Sequence, residues 1–224
     1  PVNFEGKPQY DTFPETHFLE VGADDGDSII HLIADDDRLI VFKKSSVSVL
    51  NVGKFGGEYI ENKFDYVGIN YPCQAVRTDI GVVWVNSSGC HLFSQGKLTN
   101  LVSDKLLVQG KLETYQSKMS WNISDNGTEN IPSIGYLPNE RHIIVAINIA
   151  KEATSATNDC WLFDIKRAAW SYLSGSITTK QYRSNFVNGG LGGLYQLGAA
   201  VTDATYTTFK QLYNWNPNPL AKTD

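Results

Sequence analysis

The chain has 224 residues, enough for one large domain or two small ones. Hydrophobic residues make up 42% of it and charged residues only 19%, which excludes an intrinsically disordered chain. The formal net charge is −5, so the sequence offers no basic surface for nucleic acid, and we expect no specific nucleic-acid binding. It also contains no apolar run of about eighteen residues, so we expect no membrane span.

Cysteine usage excludes two further classes of protein. The three cysteines, Cys73, Cys90 and Cys160, are an odd number, and no two of them form a CxxC pair. A disulfide scaffold needs paired cysteines, and a structural zinc site needs more ligands at short spacings. Buried free thiols are therefore the expected state of all three.

Short apolar runs separated by polar turns begin at residue 28. The first three predicted strands span residues 28–34, 38–43 and 47–52. The acidic residues 35–37 form the first turn, and residues 44–46 form the second. These strands are apolar on both faces, which is typical of a sheet that is covered on both sides. Lys43 and Lys44 are interpreted as a solvated strand end.

The same pattern returns twice further along the chain. A second group of strands is predicted at residues 73–78, 82–85, 90–93 and 97–101, and a third at residues 141–149, 160–164 and 169–173. Ile40 aligns with Val83 at a shift of 43 residues, and Val83 aligns with Ile144 at a shift of 61. An insertion at residues 103–131 accounts for the longer shift, and residues 109–121 within it are predicted as a short helix.

A fourth, looser copy completes the pattern. Its predicted strands span residues 181–187, 192–198 and 205–215, with a glycine turn at residues 188–190. Units of about 40–60 residues with three or four short strands each are typical of a β-propeller. One such unit is too small to bury both of its faces alone, whereas stacking around an axis covers both.

We therefore predict an all-β fold, a propeller-like array of antiparallel blades with three or four strands each. The blades lie at about residues 24–53, 69–102, 132–174 and 180–216 of a single domain spanning residues 1–224. The layers between blades are expected to hold the bulky residues Phe42, Trp84, Phe93, Trp161, Phe163 and Trp170. A β-sandwich is the rival fold, but it has one wet face and predicts cleaner alternation. Because the chain begins with Pro1, we expect either an incomplete propeller or a fragment of a longer chain.

No set of residues in the sequence points to catalysis. The four histidines are His17, His31, His91 and His142, and no metal-binding spacing links them, so surface or satisfied core positions are expected. The acidic clusters at residues 24–27 and 35–37 could hold Ca²⁺, but turn formation explains both. We assign no catalytic, cofactor-binding or metal-ligating residue, and we expect no cofactor and no enzymatic activity.

Two stretches carry a resemblance to a known family: "DRLIVFKKSSVSVLNVG" at residues 37–53 and "AVRTDIGVVWVNSSGCHLFSQGKLTNL" at residues 75–101. Residues 27–173 resemble the β-propeller found in tail-tube, adaptor and stabilisation proteins of tailed bacteriophages. Residues 161–173, "WLFDIKRAAWSYL", are similar to a hairpin of the same family through Trp161, Asp164 and Trp170. The family's blade pattern falls on Val76, Thr78, Asp79, Gly81, Val82, Gly89, Phe93 and Gly96. Cys90, where the family usually has an aliphatic residue, and the insertion depart from the pattern.

The resemblance implies a structural component of a bacteriophage virion, in the tail tube, neck or adaptor. Such a protein would be made in the cytoplasm of the bacterial host and would assemble into a homo-oligomeric ring with other tail proteins as partners. Two alternatives remain open: a carbohydrate-binding or glycan-processing propeller, and a cellular interaction scaffold of the kelch or WD-repeat kind. The sequence lacks the repeated Trp-Asp and double-glycine signatures of the scaffold class.

Overall fold

The computed structural model describes residues 19–22, 25–53, 57–86, 88–102, 132–146, 158–177, 186–188, 193–201 and 209–215. These residues form β-strands and one short 3₁₀-helix, and the strands assemble into four antiparallel sheets. The predicted all-β, propeller-like array is therefore confirmed. The predicted insertion with its helix, most of the glycine turn and the first part of the fourth unit lie outside the described residues.

Each sheet is a meander in which neighbours in sequence are neighbours in space. The first sheet contains β1 (Ile29–Asp35), β2 (Arg38–Lys43), β3 (Ser46–Asn51) and β4 (Tyr59–Asp65). The second contains β5 (Ala75–Thr78), β6 (Gly81–Asn86), β7 (Gly89–Ser94) and β8 (Lys97–Asn100). The third contains β9 (Ser133–Leu137), β10 (His142–Ala146), β11 (Asn158–Asp164) and β12 (Ala169–Ile177). The fourth contains β13 (Val187–Asn188), β14 (Leu194–Val201) and β15 (Phe209–Trp215).

The correspondence between repeats that the sequence predicts is found in the structure. Ile40, Val83 and Ile144 each lie in the second strand of their sheet, and each is fully buried. The strand predicted at residues 38–43 coincides with β2. Second strands have a neighbour on either side within the sheet, and most of their side chains are buried on both faces. Their sequences are therefore apolar at almost every position.

Apolar side chains join each sheet to the next. Between the first and second sheets lie Ile40, Phe42, Val47, Val49, Ile69, Val82, Trp84 and Phe93. Between the second and third lie Val83, Val85, Cys90, Leu101, Ile134, Tyr136, Ile143, Val145, Trp161 and Phe163. Leu137, Ile144, Cys160 and Leu194 join the third to the fourth. Adjacent residues such as Val83 and Trp84 point to opposite sheets, so the second sheet is covered on both faces.

The six bulky residues expected between the blades lie there. Phe42, Trp84 and Phe93 pack between the first and second sheets. Trp161 and Phe163 pack between the second and third, with Trp170 partly buried against them. The rings meet edge-on or tilted, at a centroid distance of 5.3 Å for Phe42 and Trp84, a geometry that aromatic quadrupoles favour.

Two strands are absent from the sequence prediction, and several others start later than predicted. The unpredicted strands are β4 and β9. The strand predicted at residues 73–78 begins only at Ala75, because Pro72–Gln74 forms a 3₁₀ turn in which the Gln74 side chain accepts the N–H groups of Asn70 and Tyr71. The strand predicted from residue 141 begins at His142, because Arg141 has a φ of 59° and belongs to the preceding turn.

Gly81 is the first residue of β6, directly after the β5–β6 turn, and it has a backbone conformation that a side chain would strain. Its φ is +129°, and a Cβ would lie 2.2 Å from the carbonyl oxygen of Phe93 on β7. We expect Gly81→Ala to lower the free energy of unfolding by about 2 kcal/mol, through backbone strain and the clash. Urea unfolding measures the change, with Gly26→Ala as the matched control: Gly26 also has positive φ (+65°) but has no atom within 4 Å of the added methyl. Equal losses in the two variants would show that the close approach contributes nothing.

Candidate functional site

The first strands of the sheets converge on a common axis. β5 contacts both β1 and β9, and β9 contacts β13. They border an open cavity of about 350 Å³, whose lining is mostly aliphatic and includes Leu32, Ile33, Val76 and Ile134. Phe186, which precedes β13, lines the same cavity as residues of β1. Residues from all four sheets or from the segments next to them therefore line this cavity.

The polar groups that line this axial cavity are engaged with the protein. The Cys73 thiol donates to the carbonyl oxygen of Pro132 over 3.9 Å. The half-buried ring of His31 stacks on Phe42 at 6.4 Å, and burial lowers the pKa of this histidine. No tryptophan or tyrosine lines the cavity in the described part of the chain.

Arg77 on β5 connects the first two sheets at the rim of the cavity. Its guanidinium lies 3.4 Å from Asp35 and donates to Asp36 over 3.1 Å. Both acids belong to the end of β1 or the turn that follows it, and Asp36 has the positive φ of 52° that this two-residue turn requires. The predicted acidic turn is confirmed, and it also binds the neighbouring sheet.

Asp79 repeats this arrangement one sheet further along. It follows β5 as Asp36 follows β1, and its carboxylate accepts the Tyr136 hydroxyl at 2.5 Å and the Arg141 guanidinium at 2.8 Å. Burial, together with the Asp79 carboxylate, raises the pKa of Tyr136 to about 12. We call Asp36 and Asp79 the turn acids. Each lies between the first and second strands of its sheet and binds a cation from the next sheet.

The contribution of a turn acid is measurable by substitution. We expect Asp79→Ala to lower the free energy of unfolding by about 1 kcal/mol, because it removes two charge-assisted hydrogen bonds between sheets. Arg141 and Asp79 are 38% and 43% exposed, and solvent screening of this pair keeps the loss small. The matched control is Asp65→Ala, which breaks the exposed pair between Lys63 and Asp65 at 3.6 Å within a single strand. A loss in chemical denaturation no larger than that of Asp65→Ala would contradict an inter-sheet role for Asp79.

Tryptophan side chains fix the segments that lead from one sheet to the next. The Trp84 indole N–H donates to the Val67 carbonyl over 2.7 Å, and that of Trp170 donates to the Leu101 carbonyl over 3.0 Å. Val67 follows the last strand of the first sheet, and Leu101 follows the last strand of the second. Two carbonyls that have no partner in a β-ladder thereby gain a hydrogen bond. The same bonds hold each linking segment against a tryptophan of the next sheet.

The three histidines in the described part of the chain lie in three different strands, His31 in β1, His91 in β7 and His142 in β10. His91 lies in β7 and is a satisfied core histidine: its Nε2 lies 3.0 Å from the Ser88 hydroxyl and 3.2 Å from the Asn86 side-chain oxygen. His142 begins β10, as predicted, and lies 3.9 Å from Asp164. His17 lies outside the described residues. Among those described, no group of three His, Cys, Asp or Glu side chains is placed to hold a metal ion.

The prediction for the cysteines is confirmed, whereas the prediction for the Lys43-Lys44 pair is correct only for Lys44. All three cysteines are buried thiols that form no disulfide, as predicted. The interpretation of Lys43 as a solvated strand end is wrong, because its side chain is only 5% exposed and pairs with Asp25 at 2.8 Å. Lys44 is exposed, as expected. No local signal in the sequence marks Lys43, since its partner lies on a separate segment that folds back over the sheet.

No protein-family model matches this chain, and no curated protein shows significant similarity to it. Within the described residues, no helix is long and apolar enough to cross a membrane. The class is therefore defined by the fold and the contacts: an all-β protein of successive antiparallel sheets, joined by apolar layers, by turn acids and by tryptophan bonds to the linking segments.

Proposed function

We propose that this protein is a structural component of a bacteriophage virion, located in the tail tube, neck or adaptor. In this proposal it assembles with copies of itself and with other tail proteins, and it catalyses no reaction. One observation carries the proposal: the residues that match the phage-propeller pattern shape hairpins or join sheets. Residues used in this way contribute to a rigid part.

The individual contacts support this use of the pattern. The Thr78 hydroxyl donates to the Gly81 carbonyl over 2.7 Å and accepts the Ile80 N–H, which closes the β5–β6 hairpin. Asp79 binds the third sheet through Tyr136 and Arg141, as described above.

Asp164 shapes a hairpin turn within the third sheet. Burial opposes its ionisation, but hydrogen bonds from the backbone of Arg167 and Lys166 and from the Arg167 side chain lower the pKa of Asp164 overall. The carboxylate therefore stays ionised and caps the turn between β11 and β12.

The overall charge fits a position near packaged DNA. A net charge of −5 at pH 7 would repel a nucleic acid that passes along a ring of copies rather than retain it. An acidic wall of this kind lets DNA pass through a channel without binding to it, and this property is part of the proposal.

The location can be tested directly. Phage particles are purified by density gradient. They are then probed with antibody against this chain and by quantitative mass spectrometry. We expect several copies of the chain in each particle and gold labelling confined to the tail or neck. Recovery of the chain only outside the particles would overturn the proposal.

A further inference from the structure

The first sheet carries a segment that is fixed to it by polar contacts. Lys43 lies at the end of β2, and its ammonium group donates to both carboxylate oxygens of Asp25, over 2.9 Å and 2.8 Å. It also donates to the Gly22 carbonyl over 3.2 Å. The lysine side chain is 5% exposed, so this charge is buried and is neutralised by Asp25.

A second acid, two residues further along the chain, fixes the same segment. The Asp27 carboxylate accepts the backbone N–H of Lys44 over 2.9 Å and that of Ser45 over 2.8 Å, together with the Ser45 hydroxyl. We call residues 22 and 25–27 the strap. The strap holds the turn between β2 and β3 through hydrogen bonds and one ion pair.

The chemistry of this contact differs from that of every sheet-to-sheet layer described above. Those layers consist mainly of Val, Ile, Leu, Phe and Trp side chains, which do not separate without exposing a large apolar area to water. The contacts of the strap are polar, and its groups regain hydrogen bonds from water when they separate. The strap can thus detach without separating the apolar layers between the sheets.

Two glycines give the strap the backbone freedom that detachment needs. Gly22 and Gly26 have φ values of +64° and +65°, and no atom lies within 4 Å of a Cβ built on Gly26. Next to the strap, Leu19 and Ile29 are 39% and 54% exposed. The segment is therefore bordered by apolar side chains that gain from being covered by another molecule.

We propose that the strap exchanges between copies of this chain, so that Asp25 and Asp27 of one copy bind Lys43 and the β2–β3 turn of another. The complementarity is given, because the intermolecular contacts are those already present within one chain. Exchange of an identical element is a route to self-association that needs no new surface. The inference rests on the proposed function, since it supplies one contact for a ring of copies.

A charge-swapped pair tests the exchange. The variants Asp25→Lys and Lys43→Asp each place like charges together within one chain. When the two variants are mixed, an exchanged dimer restores an opposite-charge pair at one junction, formed by the unsubstituted Asp25 and Lys43, and a swapped pair at the other. We expect at least a tenfold larger dimer fraction in the mixture than in either variant alone, measured by light scattering after size-exclusion chromatography.

Two controls make the result decisive. The double variant carrying both substitutions in one chain restores the pair internally and should elute and unfold like the wild type, which shows that the swapped charges are tolerated. Mixing Lys63→Asp with Asp65→Lys swaps an exposed pair within a single strand and should give no additional dimer. A mixture of the strap variants that stays monomeric beside a folded double variant would overturn the exchange.

The outcome can be separated from that of the proposed function. Virions that contain many copies of the chain, together with a monomeric mixture of strap variants, would leave the virion role standing and remove the exchange. A tenfold gain in dimer with no copy in any particle would support the exchange and remove the virion role.

Discussion

Replacing Trp84 by alanine is expected to lower the free energy of unfolding by about 4 kcal/mol, a large share of the total stability of a typical domain. The Trp84 side chain is fully buried between the first and second sheets, in edge contact with Phe42 at 5.3 Å and tilted against His91 at 5.6 Å. Truncation leaves a cavity at the sheet interface, and it also removes the donor that satisfies the Val67 carbonyl. Urea unfolding monitored by circular dichroism measures the loss.

Two variants divide this effect into its parts. Trp84→Phe keeps a ring between the sheets but loses the indole N–H, so a loss of about 1–2 kcal/mol is expected. Tyr66→Ala removes an aromatic side chain that is 89% exposed and should change stability by less than about 0.5 kcal/mol. If Trp84→Ala cost no more than Tyr66→Ala, the two sheets would not be joined through this layer.

The second large effect is a dependence of stability on pH that arises from His91. Burial lowers the pKa of His91 to about 4, from the 6.5 of a solvated imidazole. Below pH 6.5 the unfolded chain therefore binds a proton that the folded chain does not. The free energy of unfolding falls as the pH is lowered from 6.5 towards 4, by about 3 kcal/mol over the whole window. The contribution of His91 is fully retained above pH 6.5 and changes little below 4.

The His91→Gln variant identifies the source of this effect. Glutamine keeps a polar side chain near Ser88 but does not titrate, so the unfolding free energy of the variant should vary less between pH 7 and about pH 4.5. Carboxylates with a lowered pKa, such as Asp25, keep their stabilising effect above their ordinary value of 3.8 and lose it only at lower pH. Equal slopes for the two chains, or an NMR titration of His91 with a midpoint near the ordinary value of about 6.5, would contradict the assignment.

Strands covered on both faces can be predicted from the sequence, because double burial produces a continuous apolar run. β2 and β6 are examples. β4 cannot be predicted in this way, since it is an outer edge strand with the half-polar sequence YIENKFD and a largely exposed pattern. It is joined to β2 by the Arg38 guanidinium, which donates to both carboxylate oxygens of Glu61 over 2.7 Å and 3.0 Å. That contact spans 23 residues of sequence and leaves no periodic signal.

β9 cannot be predicted from the sequence for a different reason. Gly135 lies in the middle of this strand, and an isolated glycine is typical of a turn or a bulge. In the structure it allows close packing, since a Cβ there would lie 2.7 Å from the Phe186 ring and 2.8 Å from Leu194. Such an approach depends on residues about 50 positions away, and local sequence patterns carry no information about it.

The candidate site is predictable only in part, for the same physical reason. The acidic turns at residues 35–37 and at Asp79 stand out in the sequence, but their partners Arg77, Tyr136 and Arg141 lie on the next sheet. The axial cavity gathers residues from separate sheets and their flanks, so no single segment marks it. The buried state of Lys43 depends on Asp25, which lies 18 residues earlier in the chain.

Electron cryomicroscopy of purified phage particles tests the central claim most directly. We predict several copies in a ring around the tail or neck, each with its successive sheets stacked face to face about its own axis and Trp84 enclosed between the first two. A chain folded as two facing sheets, or one that occurs singly and apart from any virion, would contradict this prediction.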